Sequence, residues 1–458
     1  MTEPDFVKRD FIMCDLIAKK RDGGEFGAAE IEFWLRGVLD GSIPDYQTTA
    51  LLMAIYFRGL SEHETFLLTD AIVRSGDVLD LSHIPGCKAD KHSTGGVGDK
   101  TTLIAMPLAA VCGLTIVKMS GRSLGKTGGT ADKLESVPGF RLTLEPADLQ
   151  HQAEAERLVL ITQSSNLTPA DKRLYALRDL TSTVDSLPLI AASVMSKKIA
   201  AGADVIVLDV KFGRGAFMPD AANAVKLAEL MVELGRQAGR KIAALITSME
   251  APLGRAVGNA LEVWEAAETL RGYGAPDLRL LSLALTGEQL YLAGLAETRR
   301  QGFRLAAQAL EDGRGLTKFL RFLRAQGGDT AKLEQGGFLL AKTVLVVRAP
   351  RGGYLQAVDA ARVAGIVQHL GAGRLRVEDK IDHQVGVWFD KQCGDKLTSG
   401  EPLAHIYAES EEQAKAAAAA LLSACTFSDT LPELPPLIYG VVTTEGFIPW
   451  TELQQDYQ

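Results

Sequence analysis

The chain is decided by Lys91-His92-Ser93-Thr94-Gly95-Gly96-Val97-Gly98-Asp99-Lys100-Thr101-Thr102, the apolar run Leu103–Val117, and Lys118-Met119-Ser120-Gly121-Arg122-Ser123-Leu124-Gly125-Lys126-Thr127-Gly128-Gly129-Thr130-Ala131-Asp132-Lys133-Leu134-Glu135. Twice a lysine and a serine stand before a glycine-rich turn dense in hydroxyls, and twice that turn leads into a helical pattern. Glycine lets backbone N–H groups approach a ligand closely, and a helix start offers unpaired donors. Lysine adds a mobile point charge. Two such turns on neighbouring strands can hold one tetrahedral oxyanion from both sides, and the pair reads as a phosphate cradle.

One glycine-rich turn is ordinarily only a turn, so the pair carries the weight. The second turn also imitates a P-loop, because Gly125-Lys126-Thr127 looks like its ending. A P-loop needs glycine five positions before that Gly-Lys pair, where Ser120 stands, and Gly128-Gly129 would weaken the helix that must follow. A nucleotide triphosphatase is the poorer reading.

The run Ser120–Glu135, centred on Thr127-Gly128-Gly129-Thr130 and Asp132-Lys133-x-Glu135, resembles the signature of the thymidine and pyrimidine-nucleoside phosphorylases. Lys91–Asp99 is similar to that family's first phosphate turn. The likeness continues through Ser164–Thr183, Asp204–Met218, Gly258–Val263 and the C-terminal third. Two residues depart from the pattern: Ser123 stands where the family usually has Gly, and Lys126 where it has His.

The resemblance implies reversible phosphorolysis of uridine, thymidine or deoxyuridine to a free pyrimidine and a (deoxy)ribose 1-phosphate. It implies that Lys91, Ser93, Thr102, Ser120 and Thr130 bind phosphate, with Lys118 and Met119 in the same loop. Tyr175, Arg178, Ser193 and Lys197 would hold the pyrimidine, with Arg178 and Lys197 at its carbonyl oxygens. His92, between two phosphate ligands, would donate a proton or hydrogen bond to the departing base. No cofactor is expected beyond phosphate as co-substrate. Broad-specificity bacterial members of the family carry a potassium ion. Here its hydroxyl position matches Lys100, whose ammonium would replace the ion with Glu265 as partner, so no metal is expected. The alternatives are a thymidine-restricted phosphorylase, an enzyme like anthranilate phosphoribosyltransferase, or a silent nucleoside-binding protein.

Composition sets outer bounds. Apolar residues make up 47% and charged residues 23%, which suits a globular chain with substantial cores. Lysine and arginine number 49 against 57 acidic residues, a formal charge of −8, which argues against a general nucleic-acid binder. Met1–Asp5 has no charged-then-apolar leader pattern. The longest apolar run, Leu103–Val117, is too short to span a bilayer and is interrupted by Pro107 and Gly113. Cys14, Cys87, Cys112, Cys393 and Cys425 are scattered without metal or redox spacing, which favours reduced structural cysteines in the cytoplasm.

Residues 5–76 read as helices, with Pro44 opening one and Ser61 with Glu64 forming a capping box for another. From Asp90, strand candidates Thr115–Met119, Leu158–Gln163, Asp204–Val210 and Ala243–Ser248 alternate with helices, as in a parallel sheet. Residues 169–203 read as two helices, opened near Pro169 and Pro188, that place Tyr175 with Arg178 and Ser193 with Lys197 on shared faces. Leu345–Val347, Gly365–Val367, Val385–Val387 and Leu403–Tyr407 read as short strands, and Ala414–Ala424 as a helix.

The expected fold is α/β. A small all-α lobe, 1–76 plus 169–203, serves dimerisation and pyrimidine binding. A large lobe with a mixed or parallel sheet, 77–168 plus 204–340, holds the phosphate, and 345–458 forms a C-terminal α+β domain. A homodimer through the N-terminal helices is expected, with no nucleic-acid or membrane partner. If the cradle is right, Ser120→Ala and Lys91→Ala each weaken phosphate use by about 1.5–3 kcal/mol, one charge-assisted hydrogen bond. Steady-state kinetics with phosphate varied checks this, and unchanged phosphate KM and turnover in both would refute the cradle.

Overall fold

The computed structural model describes residues 11–122, 128–162, 166–374, 376 and 379–457. Ser123 and Lys126 of the signature turn, and the first residues of the predicted helical stretch 5–76, lie outside them. The architecture is multi-domain α/β, with a helical part and a part built on mixed sheets. It divides into two compact units, one of residues 1–80, 164–202 and 233–239 and one of 81–163, 203–232 and 240–458.

The first unit is helical: Met13–Arg21, Ala28–Asp40, Asp45–Arg58, Glu62–Arg74, Pro169–Leu180 and Leu187–Ala200. Ser61 caps the fourth helix as its spacing predicts: it accepts from Glu64 N, and the Glu64 carboxylate accepts from Ser61 N at 2.8 Å. The helices close around Trp34, Leu51, Leu52 and Ile55, each at most 1% exposed. Glu64 is itself buried. It also accepts from Phe26 N at 2.8 Å and pairs with buried Lys20 at 2.6 Å, so one carboxylate pins the entries of two helices.

In the second unit the central sheet is built of β1 (Ala89–Ser93), β4 (Val205–Phe212) and β5 (Lys241–Ser248), joined in parallel in that order. Between β1 and β4 in sequence lie β2 (Ile116–Ser120) and β3 (Leu158–Thr162), a separate parallel pair. A bridge between Lys88 and Thr115 ties the foot of β1 to the foot of β2. β4 is buried along seven of its eight residues, as expected of a strand covered on both faces. The helix Thr101–Val111 is apolar almost all round and buried from Thr101 to Ala110, which makes it a core element.

The remaining strands are β6 (Ala256–Val257), β7 (Thr343–Arg348), β8 (Gly353–Val358), β9 (Gly386–Phe389), β10 (Lys396–Leu397), β11 (Pro402–Ala408), β12 (Cys425–Ser428), β13 (Ile438–Thr443) and β14 (Gly446–Pro449). They form two antiparallel sheets, β10-β8-β12 and β6-β9-β11-β7, and β13 and β14 extend the central sheet beyond β5. β13 runs antiparallel to β5, covering an edge that would otherwise stand open. The final strands of the chain therefore complete the sheet that begins at residue 89.

One expected strand is corrected. Gly365–Val367 ends the helix Ala360–Val367, which Asp359 caps by accepting from Arg362 N at 3.0 Å. Val363 and Val367 sit four apart on its buried face, a helical spacing that the short apolar triplet hides. No helix among the described residues is long and apolar enough to cross a membrane.

Glu64→Ala should lower unfolding free energy by about 3–5 kcal/mol, because it leaves the buried Lys20 ammonium and two backbone N–H groups without their acceptor. Urea denaturation followed by circular dichroism measures it, and a loss below about 1 kcal/mol would show that the carboxylate is dispensable.

Candidate functional site

Both glycine-rich turns leave the carboxyl ends of parallel strands, the first from β1 and the second from β2. Ligands gather at this edge of such sheets. The turns converge on one cavity of about 210 Å³ lined by His92, Ser93, Asp99, Thr102, Lys118, Met119, Ser120, Arg122, Thr130 and the intervening glycines. Seven of the predicted phosphate-side residues, counting His92, are thus brought together in one wall.

Glycine is required at two points of the first turn. At Gly98 φ is +70°, and a Cβ there would lie 2.7 Å from the Leu253 carbonyl. At Gly96 it would lie 2.8 Å from Lys211 Cδ. Leu253 N donates to Val97 O at 3.0 Å, so the turn is laid directly on the segment after β5.

Lys91 is placed differently from its neighbours. Its ammonium, 1% exposed, lies outside the lining and reaches Thr101 Oγ1 at 2.6 Å, Asp209 at 3.4 Å and Asp99 at 3.8 Å. Lys211 comes within 3.0 Å of Asp209 and 4.0 Å of Asp99, completing an alternating set of two ammoniums and two carboxylates beneath the turn. Lys133 donates to Asp99 O at 2.6 Å and pairs with Glu262 at 2.8 Å. Burial alone would raise the Asp99 carboxyl, but the ammoniums of Lys91, Lys211 and Lys133 hold it well below the usual carboxylate range. Burial would likewise lower Lys211, and Asp209 and Asp99 raise it instead. Lys118 lines the cavity with its ammonium held by Asp90 at 3.0 Å and by the Lys91 carbonyl.

Sequence reasoning missed Asp99 and Arg122, both in the lining. Arg122 makes a two-pronged pair with Glu135 at 2.5 and 2.6 Å. The signal for that pair was available, since Glu135 closes the same signature run. An acid at Asp99 was harder to read because two of its three neutralising partners, Lys211 and Lys133, come from other elements of the fold.

The pyrimidine-side residues lie together in the helical unit. Lys197 donates to Ser193 Oγ at 2.9 Å, with both residues on Leu187–Ala200, and forms an ion pair with Asp171 on Pro169–Leu180. Arg178 lies 5.6 Å from the Tyr175 ring centroid, over its face. Arg178 is 2% exposed and donates to the carbonyls of Thr183 at 3.2 Å, Leu189 at 3.0 Å and Val184. Burial lowers its pKa, with Asp171 the main opposing charge. Asp171 was not among the predicted residues; it is the buried carboxylate that fixes Lys197.

Lys100 is fully buried. Its ammonium meets Leu253 O at 2.9 Å, Ala256 O at 2.8 Å and the Glu265 carboxylate at 2.5 Å. Those oxygens are the kind that cage a monovalent cation, and the lysine nitrogen sits among them. The residues do not fit a bound potassium ion.

A description of the glycosyl transferase family's helical bundle domain matches residues 15–76, and that of the family's a/b domain matches 86–316. The pyrimidine nucleoside phosphorylase C-terminal domain matches residues 354–428. The chain is 48% identical over 432 residues to a pyrimidine-nucleoside phosphorylase of Geobacillus stearothermophilus, covering 94% of this chain and all of the relative. It is 48% identical over 400 residues to one of Staphylococcus haemolyticus, covering 87% and 92%. In structure it is similar to an anthranilate phosphoribosyltransferase from Thermus thermophilus, with TM-score 0.55 and 20% identity over 68% of this chain and 99% of that one, a likeness of fold alone.

The inward placement of Lys91 separates two substitutions expected to act alike. Lys91→Ala should lower stability by about 3–5 kcal/mol, because Asp209 and Asp99 lose a buried counter-charge. Ser120→Ala, at the cavity wall, should keep the parental melting temperature and lose only phosphate affinity. Thermal melts of the two variants side by side check this; equal Tm values would contradict it.

Proposed function

The chain belongs to the pyrimidine-nucleoside phosphorylase family, and we propose that it catalyses the reversible phosphorolysis of uridine, thymidine or deoxyuridine. The supporting observation is the convergence of two glycine-rich turns, carrying four hydroxyls and a lysine, on one cavity of about 210 Å³. In the forward reaction a phosphate oxygen forms a bond to ribose C1 while the bond from C1 to pyrimidine N1 breaks. The bonding pair leaves with the base, and the sugar carries oxocarbenium character. The protein's tasks are to position the anion and stabilise the leaving ring.

In this reading Ser93, Thr102, Ser120 and Thr130 donate to the phosphate with Lys118 and Met119 beside them, and Lys91 supports the turn from beneath. His92 donates to the departing base. Arg178 and Lys197 meet the carbonyl oxygens of the pyrimidine, with Tyr175 and Ser193 bounding the ring. The domain division that accompanies it is 1–76 with 169–203 for the base, 77–168 with 204–340 for the phosphate, and 345–458 as a C-terminal α+β domain.

The reading includes a homodimer in the cytoplasm. Tyr46, Ala50, Met53 and Phe57 fall on one face of the helix Asp45–Arg58, and Tyr46 and Phe57 are 74% and 76% exposed. A second copy is the natural cover for such a stripe.

Phosphate-dependent release of uracil from uridine is the direct assay. A chain that releases no base from uridine, thymidine or deoxyuridine is not this enzyme. Lys100 adds a second expectation: activity should be unchanged when potassium is exchanged for a bulky organic cation, while Lys100→Thr should create a potassium requirement. Strong potassium dependence of the parent chain would contradict this role for the lysine.

A further inference from the structure

Asp132 is a carboxylate with no solvent exposure, on the short helix Thr130–Glu135 whose first residue lines the phosphate cavity. Two guanidinium groups face it. Arg122, in the cavity wall, lies 3.6 Å away, and Arg374 brings both terminal nitrogens to 3.4 Å. Arg374 comes from far along the chain, within the segment that matches the C-terminal domain.

The backbone on either side of Arg374 is tied to the start of the helix Asn259–Leu270. Ala372 O accepts from Asn259 Nδ2 at 2.9 Å, and His383 O accepts from Ala260 N at 3.0 Å. Asn259 in turn packs on the cavity's own turn, where a Cβ at Gly128 would stand 3.4 Å from Asn259 Oδ1. The arginine is therefore held against Asp132 by contacts independent of the ion pair.

We propose that Arg374 is a positioning residue for the phosphate cavity, holding Asp132 so that Arg122 stays at the cavity wall. This rests on the phosphate-site reading above. A buried carboxylate beside an anion site repels the anion unless its charge is matched. With Arg374 in place, Asp132 is matched from behind and Arg122 is shared between Asp132, Glu135 and the cavity. Without it, Asp132 draws more strongly on Arg122, pulling its guanidinium from the cavity and leaving more negative charge near the phosphate. The C-terminal segment thereby becomes part of the anion site without touching the anion.

The test is titration calorimetry of inorganic phosphate into the full chain. Parent, Arg374→Ala, Arg374→Lys, Arg122→Ala and the Arg374→Ala/Arg122→Ala double variant are compared, with melting temperatures recorded. Arg374→Ala should weaken phosphate binding roughly 2- to 30-fold, the range seen for residues acting through a neighbour. Arg374→Lys should recover part of that loss, and the effect should shrink in the Arg122→Ala background. Parental affinity in Arg374→Ala overturns the proposal. So does an equal loss with and without Arg122, which would mark Arg374 as merely structural. Uracil release by the parent chain, measured separately, reports on the family reading, so the two ideas fail independently.

Discussion

A buried set of alternating charges beneath the first turn is the constraint on which the glycine-lined cavity depends. Lys91, Asp209, Lys211 and Asp99 come from β1, β4 and the turn itself, and each is almost wholly removed from water. No one of them is affordable alone, since an isolated buried charge costs several kcal/mol. Together they fix the register of β1 against β4, where Ser93 lies opposite Asp209 and Thr94 N donates to Asp209 O at 3.0 Å. The turn that follows is anchored to this foundation through Asp99, which faces both Lys91 and Lys211.

That foundation also sets the electrostatics of the cavity. Asp99 lines it but is held ionised by three ammoniums behind and beside it, so its charge is matched locally. The same logic recurs at Asp132, matched by Arg122 and Arg374. It recurs again at Glu265, matched by Lys100 and by the N–H groups of Arg255 and Ala256 at 2.7 Å. Around this site, buried acids are made compatible with an anion by paired cations. The pairing also organises the backbone, because carbonyls of Leu253, Ala256 and Asp99 are recruited as further acceptors.

The large elements and the two glycine-rich turns were legible in the sequence for local reasons. Ser61 and Glu64 announce a helix because both halves of the capping box lie within one turn. β4 is readable from the apolar run Val205–Leu208, and the paired turns from glycine spacing. Gly365–Val367 misled because three apolar residues carry no period, and the cap that decides the case, Asp359, lies outside the triplet. Lys91 and Lys118 look equivalent as sequence, yet only Lys118 reaches the cavity wall.

The residues expected at a pyrimidine came from the family resemblance. By itself, the sequence determined the helices with their caps, the parallel strands and the two glycine-rich turns. These follow from propensity, periodicity and the conformational freedom of glycine, all properties of neighbours along the chain. Tertiary structure alone decided that β13 closes the sheet at β5, that Lys91 turns inward to Asp209, that Lys100 fills a cage of carbonyl oxygens, and that Arg374 reaches Asp132. Each of these joins residues more than a hundred positions apart. Charge and hydrogen-bond matching in the interior depends on distance in space, and distance in space is set by packing, which no local pattern encodes.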